Sequence, residues 1–304
     1  MSESQVEDLP AYVALEALPV LRGVKSGASV QLDSTYFSVR LSALDKINRE
    51  GRVDDRIEAL RESYNLINSA EASVGSFDES ELWNAALNIM DTYRESPEVK
   101  WLTQLYPGSS FVVPEFVRGD GYLDYGARVY FLKDDETEES DVLEANIQAV
   151  VENDRESFER YQGRLHGYPD CCIEYFHDRT RESPEKKSVN QLESYVNETE
   201  NGVDIRDGIL DEDMAYGFFS KEFFPEPDCD TAQELGKKVY ESLSSEIPRE
   251  LVNDYFRMNY RYGREVAKLV ETKGKRRPGL KDVRNGFGKM YLPYNIVARL
   301  PSYK

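Results

Sequence analysis

The run Leu165-His166-Gly167-Tyr168-Pro169-Asp170-Cys171-Cys172-Ile173-Glu174-Tyr175-Phe176-His177 holds two of the chain's three cysteines and both of its histidines. Thiols and imidazoles are the side chains best suited to hold a soft or borderline metal ion, and a thiol can also act as a nucleophile. Gly167-Tyr168-Pro169 signals a turn, and Pro169 suits the first helical position, where its missing N–H is not needed. Cys171 and Cys172 then fall in the first turn of a helix. Unpaired N–H groups and the positive end of the helix dipole favour a thiolate there, so a lowered thiol pKa is expected. Adjacent helical residues point about 100° apart. Both sulfurs can therefore face one site only near a helix end. Cys172 shares a face with Phe176 by i, i+4 spacing, which makes Cys172 the better candidate for burial and Cys171 for exposure.

Cys229 has a similar setting. Pro225-Glu226-Pro227-Asp228-Cys229-Asp230 precedes a predicted helix from Thr231 to about Leu243. Asp230 and Gln233 fit a capping box, which places Cys229 just outside the cap. If the two helix starts converge, Cys171, Cys172 and Cys229 form a three-thiol set, and His166 would complete a closed structural zinc site. A carboxylate or an open position in the fourth place makes iron a candidate as well. Two other readings compete. Cysteine is among the most buried residue types, so the thiols could be structural only. Alternatively, Cys171 could be the nucleophile of a thiol enzyme. Residue types alone leave open whether such a site catalyses anything.

At these residues, His-Gly-Tyr-Pro-Asp-Cys-Cys-Ile-Glu-Tyr-Phe resembles the signature of an archaeal family known as domain of unknown function 483. The resemblance spans roughly Asp154 to Glu271, with Gly-Tyr-Pro-x-Cys-Cys as its one specific element. It implies a haloarchaeal-type protein and names no reaction. It also implies a further Pro-Cys-x-x-Cys string downstream. Here that stretch is Pro225-Glu226-Pro227-Asp228-Cys229, with Glu226 where the first cysteine would stand, so Glu226 becomes a substitute ligand.

The second feature is cationic. From Pro248 to Glu271, Leu251, Tyr255, Met258, Tyr262, Val266 and Leu269 recur at helical spacing, with Arg257, Arg261, Arg264 and Lys268 on the adjoining face. Residues 272–304 then carry nine Lys or Arg, among them Lys275, Arg276 and Arg277, against the single acid Asp282. Phe287, Tyr291, Tyr294 and Tyr303 follow the run and could stack on bases. An RNA-associated, non-enzymatic protein is thus the alternative reading. Against it, a segment of charge +8 could simply pack on a body of charge -27. There is no Gly-x-Ser-x-Gly elbow, His-Glu-x-x-His, Gly-x-Gly-x-x-Gly or Walker loop, which argues against the common hydrolase, zinc-protease and nucleotide-binding designs.

The elements that must position these residues read as a predominantly helical α+β fold, with a small antiparallel sheet in the N-terminal half and a helical C-terminal half. Val13 to Leu21 predicts a short helix interrupted by Pro19, and Val30 to Val39 a weak strand. Ile57, Leu60, Tyr64 and Ile67 lie on one helical face. Ser76 and Glu79 suggest a capping box for the next helix. Phe111–Val117 and Ala127–Leu132 read as strands joined through Arg118-Gly119-Asp120-Gly121, with Pro114 pointing to a sheet edge or bulge. The acidic run from Lys133 to Asp141 reads as a linker. The expected organisation is a disordered segment 1–8, an N-terminal region 9–135, a Cys-Cys domain 142–271 and a basic tail 272–304.

The 304 residues carry a net charge of -19, spread along the chain, and favour arginine over lysine. Such charge repels nucleic acid and anionic lipid in general, and it suits high salt, where the Debye length falls to roughly 3 Å at 1 M. No apolar run approaches the ~20 residues of a membrane span, and Met1–Leu9 lacks the pattern of a signal peptide. Three cysteines do not make a secreted disulfide framework. A cytoplasmic protein with reduced thiols is expected.

Overall fold

Ile57, Leu60 and Ile67 turn inward along one helical face, as their spacing predicts. The computed structural model describes residues 11–47, 54–133, 136–178, 186–187, 213–221, 223–226 and 228–273. The segment 1–8, the polar stretch 181–210 apart from 186–187, and nearly all of the basic tail, including Lys275, Arg276 and Arg277, lie outside the described residues. The chain divides into two units after His166. This is later than the acidic run from Lys133 to Asp141, because the helix after that run packs on the sheet of the first unit.

The first unit runs through α1 (Ala11–Leu21), β1 (Gly27–Leu32), α2 (Ser34–Ile47), α3 (Asp54–Ser69), α4 (Glu79–Glu95) and α5 (Pro97–Leu105). It continues with β2 (Ser109–Gly119), β3 (Tyr122–Leu132), α6 (Glu139–Glu152) and α7 (Arg155–Leu165). The strands form one antiparallel sheet in the order β1-β3-β2. β2 and β3 make a hairpin longer than the apolar pattern suggests, turning at Asp120-Gly121 with Gly121 at φ 77°. Pro114 lies in β2, an edge strand, where a missing N–H is tolerated. The Asn146 side chain of α6 accepts from Phe116 N–H (2.8 Å) and donates to Phe116 C=O (3.1 Å), satisfying part of that edge.

Two boundaries differ from the sequence pattern. The strand expected over Val30–Val39 stops at Leu32, because the Asp33 carboxylate accepts from Tyr36 N–H (2.8 Å) and starts α2. The cap of α4 is Asp78 rather than Ser76, and its carboxylate accepts from the N–H groups of Ser80 and Glu81. A buried charge network supports the same unit. Glu98, with 0% of its side chain exposed, accepts from Arg56 and the Tyr36 hydroxyl, and Arg40 Nε lies 3.8 Å from it. Burial and the Glu98 charge hold the Tyr36 phenol in its protonated, donating form.

The second unit contains α8 (Asp170–His177), a 3₁₀ turn (Asp213–Phe218), α9 (Asp230–Ser244) and α10 (Arg249–Lys273). Tyr255 and Asn259 of α10 donate to the carbonyls of Phe219 (3.3 Å) and Phe218 (3.1 Å) at the end of the 3₁₀ turn. Gln233 of α9 accepts from Gly217 N–H (3.1 Å). Gly236 lets α9 lie against the Tyr216 carbonyl, since a Cβ at that position would stand 1.8 Å from the oxygen. The chain is therefore α+β and mainly helical, with its small sheet in the N-terminal half and helices in the C-terminal half.

Candidate metal centre

Helix α8 begins after Pro169, which is the N-cap itself rather than the first helical residue. Cys171 and Cys172 occupy its first turn, as expected. Helix α9 begins at Cys229, which is likewise the N-cap and makes no side-chain capping bond. The capping box expected from Asp230 and Gln233 does not form, because the Gln233 amide is engaged by Gly217. Cys229 Sγ is therefore not used by its own helix end and lies beside another thiol.

Aromatic packing brings the two helix starts together. Tyr168 packs on Phe223 with ring centroids 4.6 Å apart, and its hydroxyl pairs with Ser220 Oγ at 3.0 Å. Phe224 stacks on Phe176 of α8, at 6.2 Å and an interplanar angle of 6°. This seats the segment Phe223–Glu226 beside α8, and Glu226 N–H donates to Cys172 Sγ at 3.2 Å. Asp228 then takes a left-handed conformation (φ 59°), turning the chain into α9 at Cys229. Such a φ is uncommon outside glycine, with Asp and Asn among the more tolerant residues.

The outcome is a compact thiol triad. Cys171 Sγ lies 3.2 Å from Cys229 Sγ and 4.0 Å from Cys172 Sγ, and all three sulfurs are within 4.8 Å of one another. All three cysteines are free; Cys171 is exposed while Cys172 and Cys229 are buried. The expected division between a buried Cys172 and an exposed Cys171 holds, but both thiols face the same site. Ligands of one tetrahedral zinc with 2.3 Å Zn–S bonds stand about 3.8 Å apart. Cys171, Cys172 and Cys229 therefore lie close enough to bind a metal ion.

The electrostatics reverse one expectation. The Cys171 thiol is pushed up by burial, then by the hydrogen bond and charge of Cys229. Burial pushes Cys172 up further, against the opposing effect of the Glu226 N–H. The helix-start field does not prevail at Cys171 and Cys172, because burial disfavours the charged thiolate and the neighbouring thiols disfavour it further. Without a cation, Cys171 and Cys172 are held towards their protonated form. A bound cation would invert that balance, since coordination deprotonates a thiol outright.

The remaining candidates are placed differently. Among the described residues, the group of clustered ligand atoms contains only the three cysteines. His166 caps α7 in the first unit, and its ring stacks with Tyr130 at 6.1 Å. His177 ends α8, edge-on to Phe176. Glu226 reaches Cys172 through its backbone N–H, while its carboxylate is outside the clustered group. On α10, Arg257 pairs with Asp254 (3.2 Å) and Lys268 with Glu265 (2.7 Å), so acids on the same helix offset part of the cationic stripe. Arg264 is exposed, and the side chain of Arg261 lies outside the described residues. Gly236 helps build the site without having been singled out by its type. Gly236 carried a signal, as an isolated glycine within a helical pattern.

No protein-family model, curated protein or solved structure matches this chain. Among the described residues, no helix is long and apolar enough to cross a membrane.

Proposed function

We propose that the protein binds a single zinc ion, or a ferrous ion in its place, through Cys171, Cys172 and Cys229, and that it works in the reducing cytoplasm of a salt-rich archaeal cell. The observation that carries the metal reading is the convergence of two helix starts, 58 residues apart, on one point with three free sulfurs within 4.8 Å of one another. An inert core would be expected to disperse its cysteines among apolar side chains. The spacing suits one ion held by all three thiolates. Thiolates of an iron–sulfur cluster are carried on several irons and stand farther apart. Sulfur ligands in tetrahedral disposition favour zinc or iron over harder cations.

The same sulfurs support the compartment. Cys171 is exposed and close to Cys229, a pair that an oxidising compartment would join, whereas a reducing one keeps both available to a metal. The charge of -19 suits high salt, and the resemblance carried by Gly167 to Cys172 supports an archaeal source.

The test is metal content. The full chain, reconstituted with excess Zn²⁺ and freed of loose metal by gel filtration, is expected to retain one zinc per chain by elemental analysis. The Cys172→Ser protein is expected to retain far less. Full retention by that variant, or negligible zinc in the unsubstituted protein, overturns the reading.

A further inference from the structure

Three thiolates on a divalent ion leave one tetrahedral position to be filled, and the composition of the chain restricts what can fill it. The chain has three cysteines and two histidines. All three cysteines are in the triad, and neither His166, which stacks on Tyr130, nor His177, which lies edge-on to Phe176, belongs to the ligand group. This accounts for every thiol and imidazole of the chain. From its own side chains, what remains is an oxygen ligand, either a carboxylate or a bound water. Zinc sites with three protein ligands and a replaceable fourth are the open, substrate-accepting kind.

Resting on the metal reading above, we propose that the fourth position of the triad-bound zinc takes up a small exogenous thiol, so that the ligand of this site is a low-molecular-weight thiol held as its thiolate. Softness supports this class, since an ion already held by sulfur favours a further polarisable donor over a hard oxygen. A fourth sulfur matches the three already present. Burial sets the direction of access. Cys172 and Cys229 form the covered side of the triad, while Cys171 is exposed and leaves the approach to the ion on its side. Among the described residues, the carboxylates of Glu226, Asp228 and Asp230 around Cys229 stand outside the clustered ligand atoms, so none of them closes the site.

The exchange is balanced without any redox partner. The incoming thiol loses its proton to solvent water, its sulfur forms the new bond to zinc, and the coordinated water leaves. No electrons are transferred. The bound sulfur keeps a lone pair in an electron-rich setting and remains nucleophilic.

The experiment is zinc X-ray absorption on the full chain, loaded with one equivalent of Zn²⁺ and prepared without added thiol. The probes are 2-mercaptoethanol and, as the oxygen control, ethylene glycol. The expected first shell is three sulfurs and one oxygen, from the three clustered cysteines, changing to four sulfurs with 2-mercaptoethanol and staying unchanged with ethylene glycol. A shell that keeps its oxygen at saturating 2-mercaptoethanol overturns the thiol proposal and leaves the metal reading standing. Failure to retain zinc at all overturns both. The Glu226→Gln protein is expected to show the same change. If its zinc affinity instead falls tenfold or more, Glu226 is the fourth ligand and the thiol proposal is wrong.

Discussion

Substituting Gly236 with alanine probes the contact that seats α9, and hence Cys229, in the second unit. The added Cβ would stand 1.8 Å from the Tyr216 carbonyl oxygen, 2.5 Å from its carbonyl carbon and 3.2 Å from Phe219 Cδ1. Cβ atoms essentially never approach closer than 3.0 Å, so the helix or the 3₁₀ turn must move apart by roughly 1 Å. Two effects oppose each other. Alanine improves intrinsic helix propensity by about 1 kcal/mol. Overpacking of a closed contact costs about 1–3 kcal/mol, and the obstacle here is backbone, which cannot rotate aside as a side chain can. The clash wins, with an expected net loss of up to about 2 kcal/mol. Because Cys229 is the N-cap of that same helix, the displacement reaches the thiol triad. Zinc affinity is expected to fall about 10- to 100-fold, as when other supports of a metal ligand are removed. Urea unfolding of the metal-free protein and zinc competition against a chelator measure the two effects separately. A Gly236→Ala protein that is equally or more stable and binds zinc unchanged would refute the seating of α9 on the Tyr216 carbonyl and its role in aiming Cys229.

Three further outcomes follow from named contacts. Glu98→Gln keeps the shape but leaves the Arg40 and Arg56 guanidiniums beside a neutral amide in a buried site, so stability should drop by about 3–5 kcal/mol; a urea midpoint within error of the parent contradicts the network. In the metal-free protein, iodoacetamide near neutral pH should modify Cys171 first, because it alone is exposed, yet more slowly than free cysteine, because burial and Cys229 raise its pKa; peptide mapping that finds Cys171 faster than free cysteine points instead to an activated nucleophile. A folded-state pKa raised above its unfolded value means that the Cys172 contribution is intact below the unfolded thiol pKa of about 8.5 and is lost as pH rises beyond it. Metal-free stability should therefore fall progressively as pH rises above about 8.5, and Cys172→Ala should flatten that slope; an unchanged slope in the variant shows that another group is responsible.

The parts of the fold legible in the sequence were those set by local periodicity. The Ile57–Leu60–Ile67 face, the hairpin around Asp120-Gly121 and the long helix from Pro248 onward depend on residues near one another in the chain. Helix starts were readable to within a residue or two. Pro169 and Cys229 are N-caps without any side-chain capping bond, and the Gln233 amide that a capping box would use accepts from Gly217 instead. The thiol set was legible as three residues at helix starts, but their convergence was not, since it depends on Phe224 meeting Phe176 across the unit. The lowered thiol pKa expected at a helix start does not hold for a related reason. A helix dipole can be inferred from sequence, whereas desolvation and the mutual repulsion of three thiols exist only after the chain has folded. The division of the chain after His166 was hidden because Asn146 ties α6 to the edge strand, placing the acidic run inside the first unit.

The central claim is that the three cysteines jointly hold one tetrahedral ion. The most direct measurement is the absorption spectrum of the full chain titrated with Co²⁺ under anaerobic conditions, since cobalt reports both geometry and sulfur ligation. The account predicts intense visible bands of tetrahedral cobalt together with near-ultraviolet sulfur-to-cobalt charge transfer, both saturating at one equivalent and both collapsing in the Cys229→Ser protein. A weak pink octahedral spectrum without charge transfer, or one unchanged by Cys229→Ser, would contradict it.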